Sequence, residues 1–315
     1  MKIIVLDAAT LGDDLDLSIL SSVGDVRIYD HTLPTEIPER VREAEVIVTN
    51  KMKLNRENLN SAKDLKLICV TATGYDNIDT DYCKQFNIQL SNIVGYSTNS
   101  VAQVTIATVL ELSTHIREFS SFVKSGKYTE SGFANKVTPV FNELSGKTWG
   151  IIGLGNIGKK VASIAEAFGC RVIAFKRTPD TNYNCVDLDT LCRESDIISL
   201  HVPLNDATRS LIGKRELDMM KKSVILYNAA RGAVTDEKAV AEAILNKKIG
   251  AFGSDVYSIE PFPAEHPFTA ILNEPNVCLT PHMAWASYEA RSLCIDEVIK
   301  NIDAFEHGIK RNAIV

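Results

Sequence analysis

The stretch Trp149-Gly-Ile-Ile-Gly153-Leu-Gly155-Asn-Ile-Gly158 constrains this chain more than any other. Its apolar start, 149–152, reads as a buried strand. A G-x-G-x-x-G turn follows, and residues 159–168 (KKVASIAEAF) then carry helical periodicity. A second strand, 171–175, returns at βαβ spacing. Each glycine has a physical task. Gly153 permits the tight turn, Gly155 lets the backbone approach a pyrophosphate, and Gly158 lets helix and strand pack closely. Free N–H groups and the positive dipole end of that helix would face the phosphates. The expected fold is therefore α/β, built around a dinucleotide-binding unit.

A chain of 315 residues suggests about two domains. Apolar residues make up 45% and charged residues 23%, as in ordinary globular chains. The net charge of −6 comes without a basic patch, which argues against nucleic-acid partners. No apolar run reaches membrane-spanning length. The N-terminus is a short apolar strand ending in Asp7 and lacks the features of a signal peptide. The seven cysteines are scattered, with no C-x-x-C pair, and read as reduced, mostly buried thiols of a cytoplasmic protein.

Residues 1–98 read as a small α/β unit. Strands are expected over 2–6, 26–29, 45–50 and 67–71, with helices over 15–23, 38–44 and 55–62. The loop 72–79 follows a strand directly. That puts Thr73 and Gly74 where backbone N–H groups meet a small anion, unless the loop is a plain turn. Residues 100–124 read as one unbroken helix and 126–142 as an irregular surface connection. From 150 to 283 strands and helices alternate, which implies a mostly parallel sheet covered on both faces. Residues 285–306 are helical again.

Three polar residues follow strands in the second half: Arg231, Glu260 and His282. Singly they are unremarkable: a surface ion pair, a loop acid, a capping or core histidine. Together, each after an apolar strand of one dinucleotide-binding unit, they suit hydride transfer to a 2-oxo acid. A guanidinium grips a carboxylate with a bidentate fork and polarises the neighbouring carbonyl. An imidazole delivers a proton near neutral pH, and a carboxylate beside it orients it and favours its charged form. His201 is expected to line the adenosine side. His31, His115, His266 and His307 have no partner motif. No metal-ligand spacing and no hydrolase motif is present, so no metal is expected.

The segments ATGYDNID (72–79), GYSTNSVAQ (95–103), GLGNIG (153–158), HVPLNDATRSLIG (201–213), NAARGAVTDE (228–237), SDVYSIEP (254–261) and TPHMAWAS (280–287) resemble the D-isomer-specific 2-hydroxyacid dehydrogenases, nearly end to end. The resemblance implies two Rossmann-like domains with parallel sheets. Residues 1–98 with 286–315 would form a discontinuous substrate-binding (catalytic) domain, and 99–285 an inserted dinucleotide-binding domain. It implies that Arg231, Glu260 and His282 are the catalytic set, with His282 as acid/base. Substrate would enter a cleft between the domains and meet Thr73, Gly74, Tyr96, Arg231 and Trp285. The cofactor would meet Gly153, Gly155, Asn156, Ile157, Gly158, Val202, Pro203, Thr208, Ala229, Ala230, Asp255, His282 and Ala284. Members are usually homodimers.

Within that family, TPHMAWAS and GYSTNSVAQ look most like the glycerate dehydrogenase, or hydroxypyruvate reductase, branch. Reduction of hydroxypyruvate to D-glycerate is the leading expectation. A lactate-type or branched 2-hydroxy acid keeps the chemistry and changes the substrate. A non-enzymatic dinucleotide sensor keeps only the fold. One position departs from the NAD-dependent pattern, which has an acid at the end of the second nucleotide-binding strand. Here Lys176 and Arg177 stand there. Either they accept a 2′-phosphate and make NADP(H) usable, or Lys176 faces solvent and NAD(H) binds through its pyrophosphate.

Overall fold

The computed structural model describes residues 1–178 and 180–315. The chain divides into two compact units, Met1–Ser97 with Ala286–Val315, and Thr98–Trp285.

The first unit is a five-stranded, wholly parallel sheet. Strands β1 (Lys2–Val5), β2 (Asp25–Ile28), β3 (Val46–Thr49), β4 (Leu67–Val70) and β5 (Gln89–Ser91) lie in the order β2-β1-β3-β4-β5. β3 and β4 are buried at every position, as apolar runs in a doubly covered sheet must be. Short helices α1 (Ile37–Arg40), α2 (Arg56–Leu59) and α3 (Thr80–Gln85) connect them. The helix expected over 15–23 is instead a 3-10 turn, Leu17–Val23. The C-terminal helix Tyr288–Glu306 belongs to this unit and packs on β4. Its Arg291 pairs with Asp14, and its Asn301 donates to the Asn92 carbonyl at 3.1 Å. The switch point of this sheet, between β1 and β3, is filled from within. The buried Asp7 carboxylate there accepts the N–H groups of Asn50 (3.0 Å) and Lys51 (2.6 Å).

The second unit carries six parallel strands: β6 (Thr148–Ile152), β7 (Arg171–Phe175), β8 (Ile197–Leu200), β9 (Ile225–Asn228), β10 (Ala251–Ser254) and β11 (Val277–Leu279). Their order is β11-β10-β9-β8-β6-β7. Alternate residues feed two cores. Trp149, Ile151 and Tyr227 pack on the face covered by α4 (Thr98–Thr114). Ile152, Leu226 and Phe252 pack on the opposite face. The helix expected over 100–124 is broken. α4 ends at Thr114, His115 takes a left-handed φ of 54°, and α5 (Ile116–Lys124) restarts. Ser113 and Thr114 both turn their hydroxyls onto the Leu110 carbonyl, at 3.2 and 2.6 Å, and such back-bonding competes with the helical ladder. The connection expected to be irregular over 126–142 contains a further helical turn, α6 (Lys127–Ser131). α7 (Asn156–Ala167), α8 (Leu188–Glu194), α9 (Lys214–Met219) and α10 (Glu237–Leu245) complete the unit. Among the described residues no helix is long and apolar enough to cross a membrane.

Candidate active site

The glycine turn lies at the switch point of the second sheet, between β6 and β8, where open α/β sheets receive ligands. Gly153 has φ +99°, and a Cβ there would lie 2.7 Å from the His201 carbonyl carbon. A Cβ on Gly158 would lie 2.1 Å from the Gly153 carbonyl oxygen, so only glycine lets α7 start so near the turn. Gly155 differs, because a Cβ there meets nothing within 4 Å. α7 begins at Asn156 with no side-chain cap and no acid in its first turn. α8 and α10, by contrast, are capped by Asp187 and Asp236. An uncapped helix start beside open space has N–H groups and dipole left for an anion, so these residues fit a dinucleotide pyrophosphate.

Lys176, partly exposed, and Arg177, exposed, follow the last residue of β7. Asp180 nearby is engaged by Lys159 at 2.7 Å, and that bond holds its carboxyl below the usual range. Val202, Pro203 and Thr208 form the loop after β8, where Thr208 Oγ1 donates to the Pro203 carbonyl at 2.6 Å. His201 stands at the head of this loop. Its Nε2 lies 3.0 Å from Ser199 Oγ, and burial pushes its imidazole down to about 3.

The other polar candidates leave the sheet from one row. Asn228, Ser254 and Leu279 are register partners at the ends of β9, β10 and β11. Arg231, Glu260 and His282 lie in the loops that follow. Asn228 builds the first loop by accepting from Ala230 N–H (3.0 Å) and donating to the Arg231 carbonyl (2.9 Å). In the second, Glu260 Oε1 accepts the Tyr257 N–H at 2.9 Å, and Oε2 lies 2.6 Å from His282 Nδ1. The third is wrapped around buried Asp255, which accepts from Thr280 Oγ1 (2.6 Å), Met283 N–H (2.9 Å) and Ala284 N–H (2.8 Å). This wrapping supports the φ of 53° at His282, a conformation a histidine adopts at a cost. Burial raises the Asp255 carboxyl. Trp285 Nε1 donates to the His282 carbonyl at 2.9 Å.

In the first unit Thr73 and Gly74 follow β4 as expected from sequence. Thr73 Oγ1 donates to the Ile93 carbonyl (2.7 Å), and Asn92 Nδ2 donates to the Thr73 carbonyl (2.7 Å). The loop's own carbonyl and hydroxyl are thereby fixed. Tyr96 is buried. His266, for which the sequence offered no partner motif, bonds the carboxylate of Glu237 at 2.9 Å. Neither residue was singled out because 29 positions separate them. All seven cysteines are free and six are buried, and burial pushes Cys69, Cys192 and Cys294 up to about 12, far from nucleophilic.

A dinucleotide turn at one switch point and an Arg/Glu/His set on one sheet edge define the class of a nicotinamide-dependent oxidoreductase. Residues 106–284 match the sequence model described as D-isomer specific 2-hydroxyacid dehydrogenase, NAD binding domain. A glycerate dehydrogenase of Methylorubrum extorquens is 36% identical over 99% of this chain and 98% of its own. A hydroxypyruvate reductase of Blautia hydrogenotrophica is 35% identical over 100% and 99%. The structure of a D-lactate dehydrogenase from Aquifex aeolicus with NAD and lactic acid superposes with a TM-score of 0.84, at 30% identity, over 98% of this chain and 96% of that one. The chain belongs to the D-isomer-specific 2-hydroxyacid dehydrogenase family, oxidoreductases that interconvert 2-oxo acids and D-2-hydroxy acids.

Proposed function

We propose that this chain reduces hydroxypyruvate to D-glycerate, with the reverse oxidation, through Arg231, Glu260 and His282. The observation that carries the reading is the 2.6 Å His282–Glu260 pair on the sheet edge that also bears Arg231. The names of the full-length relatives support the substrate. Bound at the glycine turn, NAD(P)H supplies the hydride. Arg231 holds the substrate carboxylate and polarises the carbonyl. Glu260, itself held by Tyr257 N–H, takes His282 Nδ1, which leaves Nε2 to give its proton to the carbonyl oxygen. Trp285, tied to the His282 carbonyl at 2.9 Å, borders the substrate's side chain.

Lys176 and Arg177 favour a 2′-phosphate, and the engagement of Asp180 by Lys159 removes a competing carboxylate from that region. NADP(H) is therefore usable. The protein works as a homodimer. α5 and α6 contain no buried residue, and Phe133, Val137, Val140 and Phe141 beyond them are exposed. Such apolar surface is characteristic of an interface. Seven free thiols suit the reducing cytoplasm.

The test is nicotinamide absorbance with hydroxypyruvate, glyoxylate, pyruvate and 2-oxoisocaproate, each with NADH and NADPH. Highest kcat/KM for hydroxypyruvate, with NADPH within about tenfold of NADH or better, is the expected result. A bulkier acid as best substrate would move the substrate assignment, and a strong NADH preference would sink the reading of Lys176. Cofactor binding without turnover of any 2-oxo acid would make the chain a sensor.

A further inference from the structure

The mechanism above leaves one deeply held carboxylate unused. Glu237, the first residue of α10, is 9% exposed and bonded on three sides. It accepts the Ser258 backbone N–H at 2.8 Å, the Ser258 hydroxyl, and His266 Nε2 at 2.9 Å. His266 is 6% exposed, and its Nδ1 accepts the Phe268 N–H at 3.2 Å. With Nδ1 accepting, the remaining ring proton sits on Nε2 and points at Glu237. The ring is stacked on Phe262 at 4.8 Å and set edge-on to Phe268 at 5.0 Å. His266 is thus fixed by aromatic packing, and it fixes Glu237.

What Glu237 holds is the loop that carries Glu260. Residues 258–260 are exposed, so polar tethers contribute much of what holds them. Ser258 lies two positions before Glu260, and the adjacent Tyr257 N–H is the donor that sets Glu260 Oε1. Glu237 also lies at the end of the segment that begins at Arg231. Between them Gly232 approaches the same loop so closely that a Cβ would lie 2.0 Å from the Tyr257 carbonyl carbon. On the other side Tyr257 donates its hydroxyl to the Thr280 carbonyl at 2.8 Å, tying the loop to the one that carries His282.

We propose that Glu237 is a positioning residue for the reaction: by holding Ser258 it clamps the Arg231 loop to the Glu260 loop and keeps Glu260 aimed at His282. This rests on the reading of His282 and Glu260 as the acid/base pair. A clamp of this kind acts on kcat through one route, and a thermodynamic cycle exposes that route.

The experiment measures hydroxypyruvate reduction by wild type, Glu237→Ala, Ser258→Ala, Glu260→Gln and the Glu237→Ala/Glu260→Gln pair, with dinucleotide Kd and Tm alongside. The expected result is a loss of roughly tenfold or more in kcat for Glu237→Ala, as for other residues that orient a reacting group through a second residue. KM and dinucleotide Kd should stay within about twofold. In the Glu260→Gln background the same substitution should cost less than about twofold, because its route is already cut. Ser258→Ala, which removes one hydroxyl and keeps the Ser258 N–H bond to Glu237, should lower kcat severalfold with Tm within a few degrees of wild type. Equal losses in both backgrounds, or full kcat in Ser258→Ala, would overturn the clamp. Wild-type turnover with no such loss overturns the clamp alone, whereas a wild type that turns over no 2-oxo acid overturns the underlying reading and the clamp with it.

Discussion

His201 ends β8 with Nε2 bonded to Ser199 and Nδ1 buried without a protein partner among the described residues. Burial sets its imidazole at about 3 against an ordinary 6.5, so the folded chain refuses a proton that the unfolded chain accepts. Above pH 6.5 both states are neutral and the full stability is present. As pH falls from 6.5 toward 3 the unfolded state binds more protons and stability drops, by at most about 1.4 kcal/mol per pH unit. His201→Gln lacks this term. Its Tm relative to wild type should therefore rise as pH is lowered from 7.5 to 5, and parallel Tm curves would contradict the assignment. At this scale the sequence was readable for position. Arg231, Glu260 and His282 were expected after apolar strands, and they lie in the loops after β9, β10 and β11. Asp255 was not readable as the carboxylate around which the His282 turn is wound, because its partners Thr280, Met283 and Ala284 lie at least 25 residues away. Pairings of that kind, like Glu237 with His266, are products of tertiary folding.

Elements were legible in proportion to the strength of their periodicity. β7 spans the expected residues, and β6 and α7 lie within a few residues of expectation, because a glycine turn between an apolar strand and an amphipathic helix leaves little choice. α3 and β5 went unread, since six and three residues are too few to display a period. The break at His115 was hidden inside an apolar run whose hydroxyls compete with the ladder. The glycine turn itself gives a paired prediction. Gly158→Ala drives a Cβ into the Gly153 carbonyl, so it should destabilise by about 1–3 kcal/mol and lower Tm. Gly155→Ala meets open space, so Tm should hold within a degree or two while dinucleotide Kd rises at least tenfold. Calorimetry and Trp149 fluorescence titration separate the two, and an unchanged Kd in Gly155→Ala would contradict the pyrophosphate site.

The whole molecule is two parallel sheets with differently used switch points. In Met1–Ser97 with Ala286–Val315, Asp7 fills the crevice with its own carboxylate. In Thr98–Trp285 the corresponding crevice presents an uncapped helix start and open space at Gly155, and that asymmetry supports a single dinucleotide site. The α/β class and the strand–helix alternation were legible in the sequence. Strand order was not, since it depends on which crossover packs where. The exposed segment around Phe133 and Val137, 74% and 73% exposed, carries the prediction for assembly. Sedimentation should give a dimer for wild type, and Phe133→Ser/Val137→Ser should shift it toward monomer. A monomeric wild type at micromolar concentration would remove the homodimer.

The reaction depends most directly on its proton donor. Steady-state reduction of hydroxypyruvate by His282→Ala should show kcat lowered roughly 10²- to 10⁴-fold, the share general acid catalysis supplies, with dinucleotide Kd and Tm near wild type. Arg231→Ala, measured beside it, should raise KM as well as lower kcat. A His282→Ala enzyme that keeps near-wild-type kcat would contradict the claim that the His282–Glu260 pair protonates the substrate.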